Sequence, residues 1–151
     1  METLESSLDI TRDVDKTTIV FKGKVKSRDD FMDDFYEFIL DYFKSMERSF
    51  YNPLVYVLKE MVKNIYDHGT GVATLVLVDT PSLFSFEFND GNSDLINFSS
   101  AANSYNWVKK SDRNFGHGLS RITDICKSCN INLTIDDTKG GINYSGLYPK
   151  I

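Results

Sequence analysis

Leu58-Lys59-Glu60-Met61-Val62-Lys63-Asn64-Ile65-Tyr66-Asp67-His68-Gly69, residues 58–69, carries two patterns at once. Leu58, Met61, Val62 and Ile65 recur at the spacing of one helix face, and Leu54 extends that stripe backward. At about 100° per residue, Glu60, Asn64 and His68 line up along one edge of the stripe, whereas Lys59 and Lys63 point away from it. A carboxylate and an amide at the boundary of an apolar face are costly to bury without a partner. Gly69 ends the helix, and Pro53 suits its first turn.

Working outward, Ser27 followed by Asp30 marks an earlier helix start, after which Phe31, Phe35, Phe38, Ile39, Tyr42, Phe43 and Met46 recur at helical spacing. Before it, Thr17 to Val25 alternates as a half-buried strand, with a weaker strand at Leu8 to Arg12. After Gly69, Val72 to Asp79 and Leu83 to Asn89 form a hairpin across Pro81 and Ser82, with Phe84, Phe86 and Phe88 on one face. Residues 90–115 turn polar, a stretch long enough to suggest a lid. A third helix is expected from about Gly116 to Ser128. Ile131, Leu133 and Ile135 then open a last hairpin that turns at Lys139-Gly140-Gly141 into residues 142–148. This order predicts one α+β domain spanning residues 1–151. It is a two-layer α/β sandwich with a mixed, mostly antiparallel sheet and three main helices on one face.

Composition narrows the function. The net charge of −5 supplies no basic footprint for nucleic acid or an anionic membrane surface. The apolar runs are short and broken by charge, and nothing near Met1 reads as a secretory signal, so a cytoplasmic location is expected. Cys126 and Cys129 form a CxxC, but they close an apolar helical pattern (Leu119, Ile122, Ile125, Cys126) instead of opening a helix. Packing of Cys126 as a small hydrophobe is therefore expected over redox or zinc chemistry.

Three segments carry the chemistry. Glu60, Asn64 and His68 lie on one helix edge, where a hydrated Mg²⁺ is a suitable partner because that ion takes oxygen ligands and keeps waters. In Phe88-Asn89-Asp90-Gly91-Asn92 an apolar strand stops at polar side chains, and either Asn89 or Asp90 offers an acceptor for an amino group. In Asn114-Phe115-Gly116-His117-Gly118-Leu119 two glycines open a helix, where backbone N–H groups approach an anion closely.

Together and in this order, these segments resemble the ATP-binding domain shared by gyrase, histidine kinases and MutL, the GHKL family, over most of the chain. Glu60 and Asn64 look like its N box, Asn89 to Ser93 like its first glycine box, and Gly116-His117-Gly118-Leu119 like its second. Residues 91–115 look like the ATP lid. In size the chain resembles the anti-sigma-factor serine kinases. The resemblance implies ATP and Mg²⁺ as cofactors, Asn64 as the Mg²⁺ ligand, and Glu60 as general base toward a water or a partner's serine. It also implies phosphate contacts from Gly116 and Gly118, with His68 where the family often has a basic residue. A small regulatory protein partner, sigma-like or anti-anti-sigma-like, and a homodimer are expected on the same ground. Aligning Gly91 puts Asn89 at the family's adenine-reading aspartate and Ser93 at its second glycine, and a shift of one residue brings Asp90 to that position. The other reading is a nonenzymatic interaction module of the same fold.

Overall fold

The computed structural model describes residues 7–44, 48–90, 115–136 and 142–150; for 48–51, 68, 90, 115–120, 136 and 142 it describes the backbone alone. Two strands come first, β1 (Leu8–Arg12) and β2 (Lys16–Lys22), followed by helices α1 (Arg28–Phe43) and α2 (Arg48–His68). A hairpin of β3 (Val72–Asp79) and β4 (Leu83–Asp90) follows. After it come helix α3 (Phe115–Ser128) and the strands β5 (Asn132–Asp136) and β6 (Ile142–Pro149). The strands form one six-stranded sheet in the order β1-β2-β3-β4-β6-β5. Every described pairing is antiparallel, so the sheet is not the mixed one expected. Antiparallel hairpins need only short connections, and the chain spends its longer crossings on helices.

Register decides which side chains meet the helices. Phe84, Phe86 and Phe88 share one phase of β4 and pair with Asp79, Leu77 and Leu75 on β3 and with Tyr148, Gly146 and Tyr144 on β6. Ile19 and Phe21 of β2 fall in the same phase through Leu75 and Ala73. These residues join the apolar faces of the three helices in one buried cluster: Phe31, Phe35 and Ile39 of α1, Leu54, Leu58 and Met61 of α2, and Ile122 and Cys126 of α3. Three helices thus cover one face of an open antiparallel sheet. Phe21 sits at the junction, its ring 5.8 Å from Phe31, 5.7 Å from Phe35 and 5.8 Å from Phe88 between centroids. Gly146 lies opposite Phe86, and a Cβ there would come within 2.2 Å of that ring, so the strand carries glycine where an aromatic lies across it.

Local signals account for most helix ends. The Ser27 side chain accepts from the Asp30 backbone N–H at 3.3 Å and caps α1, as the sequence predicts. The helix is shorter than expected, ending at Phe43 with Lys44 as its cap; Met46 lies outside the described residues. Helix α2 starts five residues before Pro53. A proline at that depth forgoes one intrahelical bond, yet the four preceding N–H groups are unbonded in any helix, so the loss is confined to the N-terminal end. At the other end the Gly71 N–H donates to the Ile65 carbonyl at 3.0 Å, and Gly23 N–H donates to the Gly71 carbonyl, also at 3.0 Å. Gly71 adopts φ 78°, and a Cβ there would lie 2.9 Å from the Gly23 carbonyl carbon. Only glycine fits this crossing, which fixes the end of α2 to the sheet.

Candidate functional site

Helix α2 is held on two sides. Along α1, Tyr66 packs against Phe31 with centroids 5.0 Å apart and donates its hydroxyl to the Lys26 carbonyl at 3.0 Å. Lys59 lies over the Tyr36 ring, 5.3 Å from its centroid. Arg28 grips Asp67 with two bonds, Nε to Oδ1 at 2.8 Å and Nη2 to Oδ2 at 3.2 Å, fastening the start of α1 to the last turn of α2. Glu60 and Asn64 lie roughly 110–150° round the helix from the Lys59 and Tyr66 contact line. Helix α3 also packs against α2.

Both polar residues are buried, Glu60 at 7% exposure and Asn64 at 3%. Glu60 Oε2 and Asn64 Nδ2 are both shut off from solvent. Lys63, expected to point away from the apolar stripe, stands three residues on from Glu60, about 60° round the helix, and sets its Nζ 2.7 Å from Oε2. At that distance ammonium and carboxylate form a charge-assisted pair. Asn64 Nδ2 has no hydrogen-bond partner among the described residues. An orphaned buried polar group costs about 1–3 kcal/mol and native proteins keep few of them, so this amide, one turn from a buried carboxylate, marks a place suited to a polar ligand.

His68 is the last residue of α2, described for its backbone. Asn89 is exposed and pairs with Thr74 and Asn143, in the strand phase opposite to Phe88, on the sheet face away from the helices. Asp90, the last residue of β4, pairs with Ile142 and keeps the phase of Phe84, Phe86 and Phe88. Gly91 and Ser93, with residues 91–114 of the expected lid, lie outside the described residues. Gly116, His117, Gly118 and Leu119 fall in the first turns of α3, which starts at Phe115, one residue earlier than expected. The first four N–H groups of that helix have no partner within it. The structure therefore brings Glu60 and Asn64 together and separates Asn89 from them by the thickness of the sheet. The period-two alternation of Phe84, Phe86 and Phe88 already contained that separation, since a residue one step beyond Phe88 leaves the core face.

Among the described residues no three His, Cys, Asp or Glu side chains converge as a metal cage. An ion at Asn64 would have a sparse protein ligand set, which is the manner of Mg²⁺ held by one or two side chains together with phosphates and waters. Among the described residues no helix is long and apolar enough to cross a membrane.

The CxxC pair stands apart from this edge. Cys126 is buried in the core and Cys129 half-buried, both as free thiols. Burial first, and the neighbouring Cys129 second, push the Cys126 thiol up to about 12. Burial, followed by the charge of Asp79, likewise pushes the Tyr42 hydroxyl up to about 12. Both groups are neutral in the fold and ionise at lower pH in the unfolded chain. Their contribution to stability is therefore complete below about pH 9 and is lost as the pH rises toward 12. The melting temperature is expected to fall steeply across that window, and in native protein at pH 8 a thiol reagent should label Cys129 well before Cys126. Equal labelling rates for the two would contradict the packing described.

The sequence matches no known protein-family model and no individual curated protein at a significant level.

Proposed function

We propose that this chain is an ATP- and Mg²⁺-binding regulatory domain of the histidine-kinase-like type that acts on a small protein partner as a serine/threonine kinase or an ATP-gated switch, with a water or the partner's hydroxyl as phosphate acceptor. The observation that carries the reading is the buried polar pair on α2, a Glu60 carboxylate one turn from an Asn64 amide whose Nδ2 has no partner among the described residues. Turned over, the Asn64 amide offers its oxygen to the same space, the group that would hold Mg²⁺. When bound, Mg²⁺ neutralises charge on the β- and γ-phosphates. The N–H groups at the start of α3 that have no partner within the helix, among them Gly116 and Gly118, suit phosphate oxygens because they carry the positive end of the helix dipole. We assign the adenine amino group to Asp90 in preference to Asn89, on the ground of strand phase. His68, Gly91, His117 and Leu119 keep the nucleotide-binding roles that the resemblance gives them.

In this reading Glu60 takes the proton of the attacking hydroxyl as that oxygen bonds the γ-phosphorus. The bond from phosphorus to the β,γ-bridging oxygen breaks, and ADP leaves with the electron pair. General-base catalysis contributes on the order of 10²–10⁴-fold, so Glu60→Gln should lower phosphate release from Mg·ATP at least about 100-fold while nucleotide affinity is kept. A rate equal to that of the wild type would remove Glu60 from the chemistry.

The outward position of Asn89 favours a second reading, a nonenzymatic interaction module. It predicts no phosphate release and no labelled partner, with or without bound nucleotide.

A further inference from the structure

Lys63 belongs to neither the apolar stripe nor the Glu60, Asn64, His68 edge, and the resemblance gives it no role. It is rooted on the outer flank of α2, in a cleft of about 480 Å³ between α1 and α2 that Arg28, Met32, Tyr36 and Lys59 also line. Three cations and two carboxylates, Asp29 and Asp33, border this cleft. Arg28 is held by Asp67 and adds a weaker, longer-range attraction to Glu60, and Lys59 covers the Tyr36 ring. Lys63 alone of the three contacts Glu60, its side chain one-third exposed and the carboxylate it meets nine-tenths buried.

We propose that Lys63 is a positioning residue for Glu60, a role that rests on the function proposed above. A buried carboxylate pays heavily for its desolvation and, unpaired, turns toward water. A lysine reaching in from the cleft removes that incentive without moving Glu60 out of the interior. Its ammonium is a compact charge with rotatable donors, so it holds the group by charge and needs no aligned bond. The contact is to Oε2, which leaves the proton of the attacking hydroxyl to the other oxygen. An ordinary i,i+3 pair on an exposed helix face contributes little and fixes nothing. This pair differs because the carboxylate is 9% exposed, so the charge that meets it is little screened by water.

The test compares wild type, Lys63→Met and Lys63→Arg, each also in the Glu60→Gln background, by phosphate release from Mg·ATP and by calorimetric titration with Mg·ATP. Misplacing a catalytic group costs on the order of 10–100-fold in kcat, so Lys63→Met should lose that much with KM and Kd held within about two-fold. Lys63→Arg should recover most of the loss, and Lys63→Met should add nothing once Glu60 is glutamine. A Lys63→Met kcat equal to wild type, or an equal loss in both backgrounds, overturns the positioning role and leaves the nucleotide site standing. Wild-type protein that gives no heat with Mg·ATP overturns the functional reading itself, and the role of Lys63 with it.

Discussion

Phe21→Ala should lower the unfolding free energy by about 3–5 kcal/mol, the usual cost of deleting a buried phenylalanine ring. The ring is fully buried and touches Phe31 and Phe35 of α1 and Phe88 of β4, so one truncation opens the contact between the helical layer and two strands. A domain of this kind has about 5–15 kcal/mol to lose, and a large share of it would go with this residue. Urea denaturation followed by circular dichroism measures the change through the midpoint at constant slope. A loss below about 1 kcal/mol would mean that the site collapses freely, contrary to the packing of three rings from two elements around Phe21.

The second large effect is on binding. Asn64→Ala should weaken Mg·ATP affinity at least about 100-fold, since even outer-shell partners of a metal are worth 10–100-fold. The same substitution should barely change stability. Asn64 is 3% exposed and its Nδ2 has no hydrogen-bond partner among the described residues, so alanine removes an amide nitrogen that they leave unsatisfied, which offsets the small cavity it opens. This contrast separates the two roles an interior asparagine can have. A structural amide loses stability on truncation and has no bearing on nucleotide, whereas a ligand-holding amide loses affinity and keeps the fold. Calorimetric titration and thermal melting on the same preparation read both quantities. A variant that is destabilised yet binds as the wild type does would remove Asn64 from the site.

Much of this fold was legible because its elements follow simple periods. The alternation of Phe84, Phe86 and Phe88 predicted a strand with one aromatic face, and Ser27 with Asp30 predicted the start of α1; both stand in the structure. The start of α2 was hidden because Pro53 reads as a first-turn residue, whereas five helical residues precede it. The wholly antiparallel pairing was also out of reach, since periodicity says which face a residue takes and nothing about its neighbouring strand. For the candidate site, the shared edge of Glu60 and Asn64 was legible from their spacing, but at 100° per residue Glu60 lies about 145° from the centre of the apolar stripe, so its burial does not follow from that stripe alone. The position of Asn89 was missed, because alignment on Gly91 ignored the strand phase that carries it to the other face. The Lys63–Glu60 pair, by contrast, is contained in their i,i+3 spacing, although that spacing says nothing of the carboxylate's burial.

The central claim is that the edge of α2 bearing Glu60 and Asn64 receives a magnesium nucleotide. Isothermal titration of the wild-type protein with ATP, ADP and GTP, with and without Mg²⁺, tests it most directly. The account predicts binding that depends on Mg²⁺ and prefers adenine over guanine. No heat with any nucleotide under either condition would contradict it, and the buried Asn64 amide would then require a partner of another kind.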